Sequence, residues 1–161
     1  MGGRNVFIFD LDDTLYQKDK DNKVFSIINS ELLNQLNGIK IVFSNAQYYY
    51  CLDFLKKIDI LHHFSAVYSA DTLEGMKPSI GVYQKVARLT GLTSVDRVFF
   101  FDDIGVNLIN AKKVGWHTIH IDQNYNKEDS TSISSSKLDF IDMTYNNINN
   151  ALYDIIHLPR P

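Results

Sequence analysis

Val6-Phe7-Ile8-Phe9-Asp10-Leu11-Asp12-Asp13-Thr14-Leu15 carries the chain's first apolar run straight into a cluster of acids. Val6 to Phe9 are β-formers with no polar residue among them, the pattern of a parallel strand buried on both faces. Asp10, Asp12 and Asp13 follow at its carboxyl end. Carboxylates this close repel unless a cation, a shared proton or solvent relieves them, so the run reads as a metal site or as a solvated turn. The later strands decide between the two.

Around this stretch lie 161 residues, 45% hydrophobic and 22% charged, the balance of one globular domain with a real core. A formal net charge of −3 argues against a general nucleic-acid surface or a membrane-surface binder, which would carry a basic face. Cys51 is the single cysteine, so no intramolecular disulfide can form; a packed helix thiol is expected. The apolar runs are short and interrupted by acids, which gives neither a signal-peptide core nor a membrane span. A cytoplasmic location is expected.

After Leu15, the polar segment from Tyr16 to Lys23 reads as an exposed loop or small hairpin flap. Val24, Ile27, Ile28, Leu32 and Leu36 recur at helical spacing before Asn37-Gly38, which predicts an amphipathic helix. Ile39 to Phe43 predicts a second strand ending at Ser44-Asn45, followed by a helix from Ala46 to Ile58. Phe64 to Ser69 predicts a third strand, then a loop through Met76-Lys77-Pro78. Ser79 is placed to cap a helix running to about Leu89, with Gly91 as its stop. Arg97 to Phe101 predicts a fourth strand, broken by Asp102-Asp103, with a helix from Val106 to Val114 and a fifth strand from His117 to Ile121. Residues 124–137 read as a polar surface loop. A short edge strand over Leu138 to Met143 and a helix through Ile148, Leu152 and Ile155 close the chain. Strands alternating with helices make a doubly wound α/β sheet, with the active groups on the carboxyl rim of the strands.

Asp10 with Asp12, Ser44, Lys77, and Asp102 with Asp103 thus share one position, each at or just past the carboxyl side of a strand or its loop. The strings DLDDTL, FSNA, MKPS and FFDD, in this order, resemble the haloacid dehalogenase (HAD) superfamily, whose members are mostly phosphatases. The resemblance covers Val6 to about Ile121. It implies a Rossmann-like three-layer α/β/α sandwich with a mainly parallel sheet. It also implies a single HAD-like domain over residues 1–161, with its core at 5–122 and its closing strand and helix at 138–157. The string from Phe99 to Ile121 also resembles the pyrimidine 5′-nucleotidase-like branch, in which Asn107 would orient the site.

By that resemblance Asp10 is the nucleophile and forms an aspartyl phosphate, and Asp12 is the acid and base. Ser44 and Asn45 hold the phosphate, and Lys77 sets a positive charge against both phosphate and Asp10. Mg2+ is the implied cofactor, held by Asp10, by Asp12 through its backbone carbonyl, and by Asp103 and Asp102, the last as an outer ligand or as a partner for Lys77. Each residue also has an ordinary reading. Asp10 and Asp12 could be turn acids, Ser44 a helix cap, Lys77 a solvated loop lysine, and Asp102-Asp103 caps for the following helix. Thr14 is expected to hydrogen-bond Asp10, and Asp13 to shape the turn. His62, His63, His117 and His120 lack zinc spacing. Tyr48-Tyr49-Tyr50 could stack on an aromatic substrate.

Family members that act on small metabolites commonly carry a cap domain. Here the interval from Tyr16 to Gly38 has room for only a flap and a helix, so no substantial cap is expected. An open site would admit a phosphorylated substrate as large as a macromolecule, or a neighbouring copy in a homo-oligomer could supply the lid. A phosphatase is the primary expectation. A nucleotidase acting on nucleoside monophosphates and a non-catalytic binding or regulatory protein on the same fold are the alternatives. Dehalogenation fits poorly with an acid at Asp12 and a metal-binding pair.

Overall fold

The computed structural model describes residues 2–127 and 138–159. Its centre is β1 (Asn5–Phe9), flanked by β4 (Ile39–Phe43) on one side and β6 (Arg97–Asp102) on the other. Beyond β4 lies β5 (Ala66–Tyr68); beyond β6 lie β7 (His117–Ile121) and β8 (Met143–Tyr145). The six strands run in the order β5-β4-β1-β6-β7-β8, every pair parallel. Helices cover both faces, which makes a Rossmann-like three-layer α/β sandwich. The chain builds outward from β1 through β4 and β5, then returns to lay β6 on β1's other side. This reversal opens a crevice at the carboxyl ends of β1 and its neighbours.

Alternation along β1 and β6 feeds the two cores. Phe7 and Phe9 face one side and stack on their cross-strand partners Phe99 and Phe101, with ring centroids 5.4 and 4.7 Å apart. This face packs beneath α1 (Ser30–Gln35), α2 (Tyr48–Lys57) and α6 (Ile148–Ile156), through residues such as Leu33, Leu55 and Leu152. Val6, Ile8, Val98 and Phe100 point the other way, into a core shared with α4 (Ile80–Thr90) and α5 (Gly105–Lys113). Trp116 is buried there against Tyr83 and Phe100, at the entry to β7. Cys51 is a fully buried helix residue.

Three local expectations are corrected. Residues 24–27 form β3 (Val24–Ile27), not the start of a helix, and pair antiparallel with β2 (Tyr16–Lys18). The apolar spacing there was compatible with a helix, but Val24, Phe25 and Ile27 are exposed, and hairpin pairing to the adjacent segment wins. Only Ser30–Gln35 is helical, capped by Asn29, whose side chain accepts from Glu31 N. The stretch after β5 contains a short helix, α3 (Ala70–Leu73), where a plain loop was expected; Ser69 and Thr72 close a capping box around it. The last strand begins at Met143 rather than at Leu138. Asp142 anchors its start, accepting from Thr118 N at 2.8 Å while its own N–H donates to Thr118 O at 3.0 Å. Part of the expected polar loop, residues 128–137, lies outside the described residues.

The β2–β3 hairpin and the short α1 are all that stand in the interval where a cap would be inserted, so the fold has no substantial cap. Among the described residues no helix is long and apolar enough to cross a membrane.

At the opposite rim, the backbone N–H and Nε of Arg4 both donate to Asp96 Oδ1, and its Nη2 donates to Oδ2 at 3.0 Å. These bonds to Arg4 hold the Asp96 carboxyl well below the usual carboxylate range. A depressed folded-state pKa gives stability that is whole above the unfolded value of about 3.9 and is lost as pH falls through the folded one. Asp96→Asn is therefore expected to lower Tm at pH 7, with the gap to wild type closing as pH drops below about 4. Thermal melts between pH 2.5 and 7 check this; a gap independent of pH would contradict it.

Candidate active site

Asp10 leaves β1 at the sheet's carboxyl rim, its backbone N–H donating to Phe101 O at 2.9 Å, as a continued strand would. The side chain is buried, 7% exposed. Oδ1 accepts from Lys77 Nζ at 3.0 Å and Oδ2 from Thr14 Oγ1 at 3.2 Å. Burial pushes the Asp10 carboxyl well up, against the pull of Lys77, and the charge of Asp102 adds to the rise.

Lys77 is the hub. Its side chain is buried, and Nζ donates to Asp10 Oδ1, to Phe43 O at 2.8 Å and to Asp102 Oδ2 at 2.9 Å. An ammonium has three hydrogens, so each has a protein acceptor, and the chain ends of β1, β4 and β6 meet on one cation. Burial alone would lower the Lys77 pKa; Asp10 and Asp102 overcome that and hold it raised. Asn45 fixes the loop that delivers this lysine. Its Oδ1 accepts from Lys77 N at 2.8 Å and its Nδ2 donates one hydrogen to Lys77 O at 3.0 Å, which ties the Asn45 amide to Lys77's backbone.

Asp102 is fully buried and accepts three bonds, from Lys77, from Ile104 N and from Asn107 Nδ2 at 3.1 Å. It is both the partner of Lys77 and a brace for the turn into α5. Asp103 is half-buried, and burial, reinforced by Asp102's charge, pushes its carboxyl up to about 6. His120 Nε2 lies 2.9 Å from the Asp103 carbonyl. One oxygen each from Asp10, Asp102 and Asp103 falls within 4.8 Å of the others. Three carboxylates without nitrogen or sulfur form a hard, anionic donor set that fits a divalent cation such as Mg2+. No histidine belongs to this cluster.

Ser44 is buried beyond β4, its Oγ accepting from Ala46 N at 3.0 Å and hydrogen-bonding the Cys51 thiol. Asp12 takes a different direction from the cluster. Its Oδ1 accepts from Tyr50 Oη at 2.9 Å and also from Tyr16 Oη. These two tyrosines were not foreseen as partners of Asp12. Tyr16 stood at the head of a polar segment, and Tyr50 in a run read as a stacking surface. Asp13 is exposed with φ 59°, the left-handed turn position that aspartate tolerates. Beside Asp103, a cleft of about 370 Å3 opens between the hairpin and the end of β7, lined by Asp13, Gln17, Asp19 and Asp122 among others.

A family model of haloacid dehalogenase-like hydrolases matches residues 23–121, which takes in Ser44, Lys77, Asp102 and Asp103 but begins beyond Asp10 and Asp12. No curated protein sequence matches the chain. Among solved structures, a haloacid dehalogenase-like family hydrolase of Streptococcus pneumoniae superposes with a TM-score of 0.66 at 13% identity, covering 95% of this chain and 98% of that one. An L-2-haloacid dehalogenase of Xanthobacter autotrophicus, also solved with chloropropionic acid covalently bound, gives 0.64 at 17% identity. That match covers 81% of this chain, which spans only 60% of the dehalogenase's length. A magnesium-bound HAD hydrolase of Bacillus subtilis gives 0.65 at 11% identity, covering 80% of this chain and 54% of that one. At these identities the likeness is one of fold.

Proposed function

The chain belongs to the haloacid dehalogenase-like hydrolase family, and from that footing we propose that it is a Mg2+-dependent phosphomonoester hydrolase acting through an aspartyl-phosphate intermediate. The observation that carries the proposal is the convergence of Asp10, Lys77, Asp102 and Asp103 on the carboxyl rim of β1 and β6, with Asp12 two residues beyond Asp10. The magnesium bound by the Bacillus subtilis relative is consistent with that donor set.

A phosphate monoester is itself an anion, so an attacking carboxylate must be held in line and its repulsion offset. Thr14 and Lys77 hold the two oxygens of Asp10, and Lys77 favours the ionised form that attacks. Because every Nζ hydrogen has a protein acceptor, the lysine acts on phosphate through its fixed charge. Ser44 would turn its hydroxyl to a phosphate oxygen when substrate binds. Bound at Asp10 and Asp103, Mg2+ would add positive charge against the phosphate oxygens.

In the first step an Asp10 oxygen bonds to phosphorus, the bond to the leaving oxygen breaks, and Asp12 gives that oxygen its proton. In the second, Asp12 takes a proton from a water molecule that attacks phosphorus, releasing phosphate and restoring Asp10. The absence of a substantial cap favours substrates that bring their own bulk, such as phosphopeptides and oligonucleotide ends, over nucleoside monophosphates, the alternative substrate class.

Two measurements test the proposal. With p-nitrophenyl phosphate, phosphate release should need Mg2+ and stop with EDTA. Mg2+ should also raise Tm, since a ligand present at a hundred times its Kd adds about 2.7 kcal/mol, and Asp103→Asn should abolish that rise. Phosphate release unaffected by EDTA, or halide release from 2-chloropropionate in its place, would overturn the reading.

A further inference from the structure

The contacts of Asp12 carry information that the acid and base assignment does not. Both phenols reach the same oxygen, Oδ1: Tyr50 Oη at 2.9 Å and Tyr16 Oη alongside it, the two hydroxyls 3.5 Å apart. An ionised carboxylate only accepts, so both hydroxyls donate, and together they use the two lone pairs of Oδ1. Among the described residues, no side chain or backbone group bonds Oδ2.

Resting on the phosphatase reading, we propose that Tyr50 and Tyr16 are positioning residues that fix the plane of the Asp12 carboxylate and leave Oδ2 as the oxygen that carries the transferred proton. A carboxyl group free to rotate would present either oxygen to the leaving group. Two donors on one oxygen remove that freedom and keep the proton on the other. The pair is itself held by α2. Phe54, one turn beyond Tyr50 and on the same helix face, packs on the Tyr16 ring at 4.5 Å between centroids. One helix thus seats one phenol by packing and supplies the other directly.

Tyr16 is buried and Tyr50 is 45% exposed, so the two differ in how they can be tested. Removing the Tyr50 hydroxyl takes away a contact at a helix surface without opening a core cavity. Neither phenol takes part in bond making. Their contribution is therefore confined to steps that need a proton delivered in one direction, and a leaving group that departs unprotonated should not register their loss.

The test compares two esters of similar shape, benzyl phosphate, whose alkoxide needs a proton, and p-nitrophenyl phosphate, whose phenolate does not. Because kcat/KM reports only the steps up to the first phosphoryl transfer, it isolates proton delivery to the leaving group. Tyr50→Phe is expected to lower kcat/KM about tenfold for benzyl phosphate and less than twofold for p-nitrophenyl phosphate, with KM little changed. Tyr16→Phe keeps the buried ring and should show the same selectivity, and the double variant should exceed either one. Tyr153→Phe, on α6 at a residue 57% exposed, is the control and should match wild type on both esters. Equal losses on the two esters, or none on either, would overturn the positioning role while leaving the phosphatase reading standing. A wild-type protein that turns over neither ester overturns both.

Discussion

Asp10→Asn protein is expected to release phosphate at least about a thousandfold more slowly than wild type, and to unfold at the same temperature or a higher one. The first half follows from the proposed chemistry. An amide cannot form the acyl phosphate, and no other carboxylate holds Asp10's place between Lys77 and Thr14. The second half follows from burial. The Asp10 carboxyl is pushed well up because its charge is costly where it sits, beside Asp102 and Asp103. Removing that charge relieves a like-charge cluster while the amide oxygen can still accept from Lys77. Steady-state kinetics and a thermal melt on the same preparation make the check. Residual activity within tenfold of wild type would move the nucleophile elsewhere, and a large drop in Tm would mean that Asp10 holds the fold.

Lys77→Met should do the opposite and damage both properties. The methionine roughly fills the same volume but leaves Asp10 and Asp102 without their cation, and Asp102 is fully buried. Removing one partner of a buried ion pair costs about 3–5 kcal/mol, far more than an exposed pair would. The loss should grow with pH. Without the lysine, the folded state tolerates Asp10 best as the neutral acid, so its folded pKa lies further above the unfolded value, and stability falls as pH rises between the two. Urea unfolding at pH 5.5 and pH 8 measures this. Activity should fall at least about a hundredfold even where the variant is folded, since a preorganised charge facing the phosphate is gone. A variant as stable as wild type at pH 8 would show that the three-way contact at Nζ is not what holds the rim together.

Most of this was readable from residues wherever burial and pattern agreed. β1 and β6 stand out because each is an unbroken apolar run halted by acids, and a strand buried on both faces has no polar option until it reaches the rim. The same rule placed Asp10, Ser44 and Asp102 at strand ends before any coordinates. It failed over residues 24–36, where Val24, Ile27, Ile28, Leu32 and Leu36 satisfy a helical period that the chain does not use. Of these, Ile28 and Leu36 are buried while Val24 and Ile27 face solvent, so apolar spacing reported composition rather than a core face. The capping box at Ser69 carries Thr72 where the usual signature has Glu or Gln, and with only four helical residues behind it there is no periodicity to reveal it. The contact of Tyr50 with Asp12 spans 38 positions and depends on how α2 lies over the hairpin, information that no local pattern holds.

Cys51 lies one residue beyond Tyr50, on the inward side of the same helix and without exposure. Burial raises its thiol pKa, so in the closed molecule it is protonated as well as shielded, and an alkylating reagent must wait for the helix to lift. Any excursion large enough to bare that sulfur also withdraws the neighbouring phenol from Asp12. The rate of thiol modification is therefore expected to report how often Tyr50 leaves Asp12.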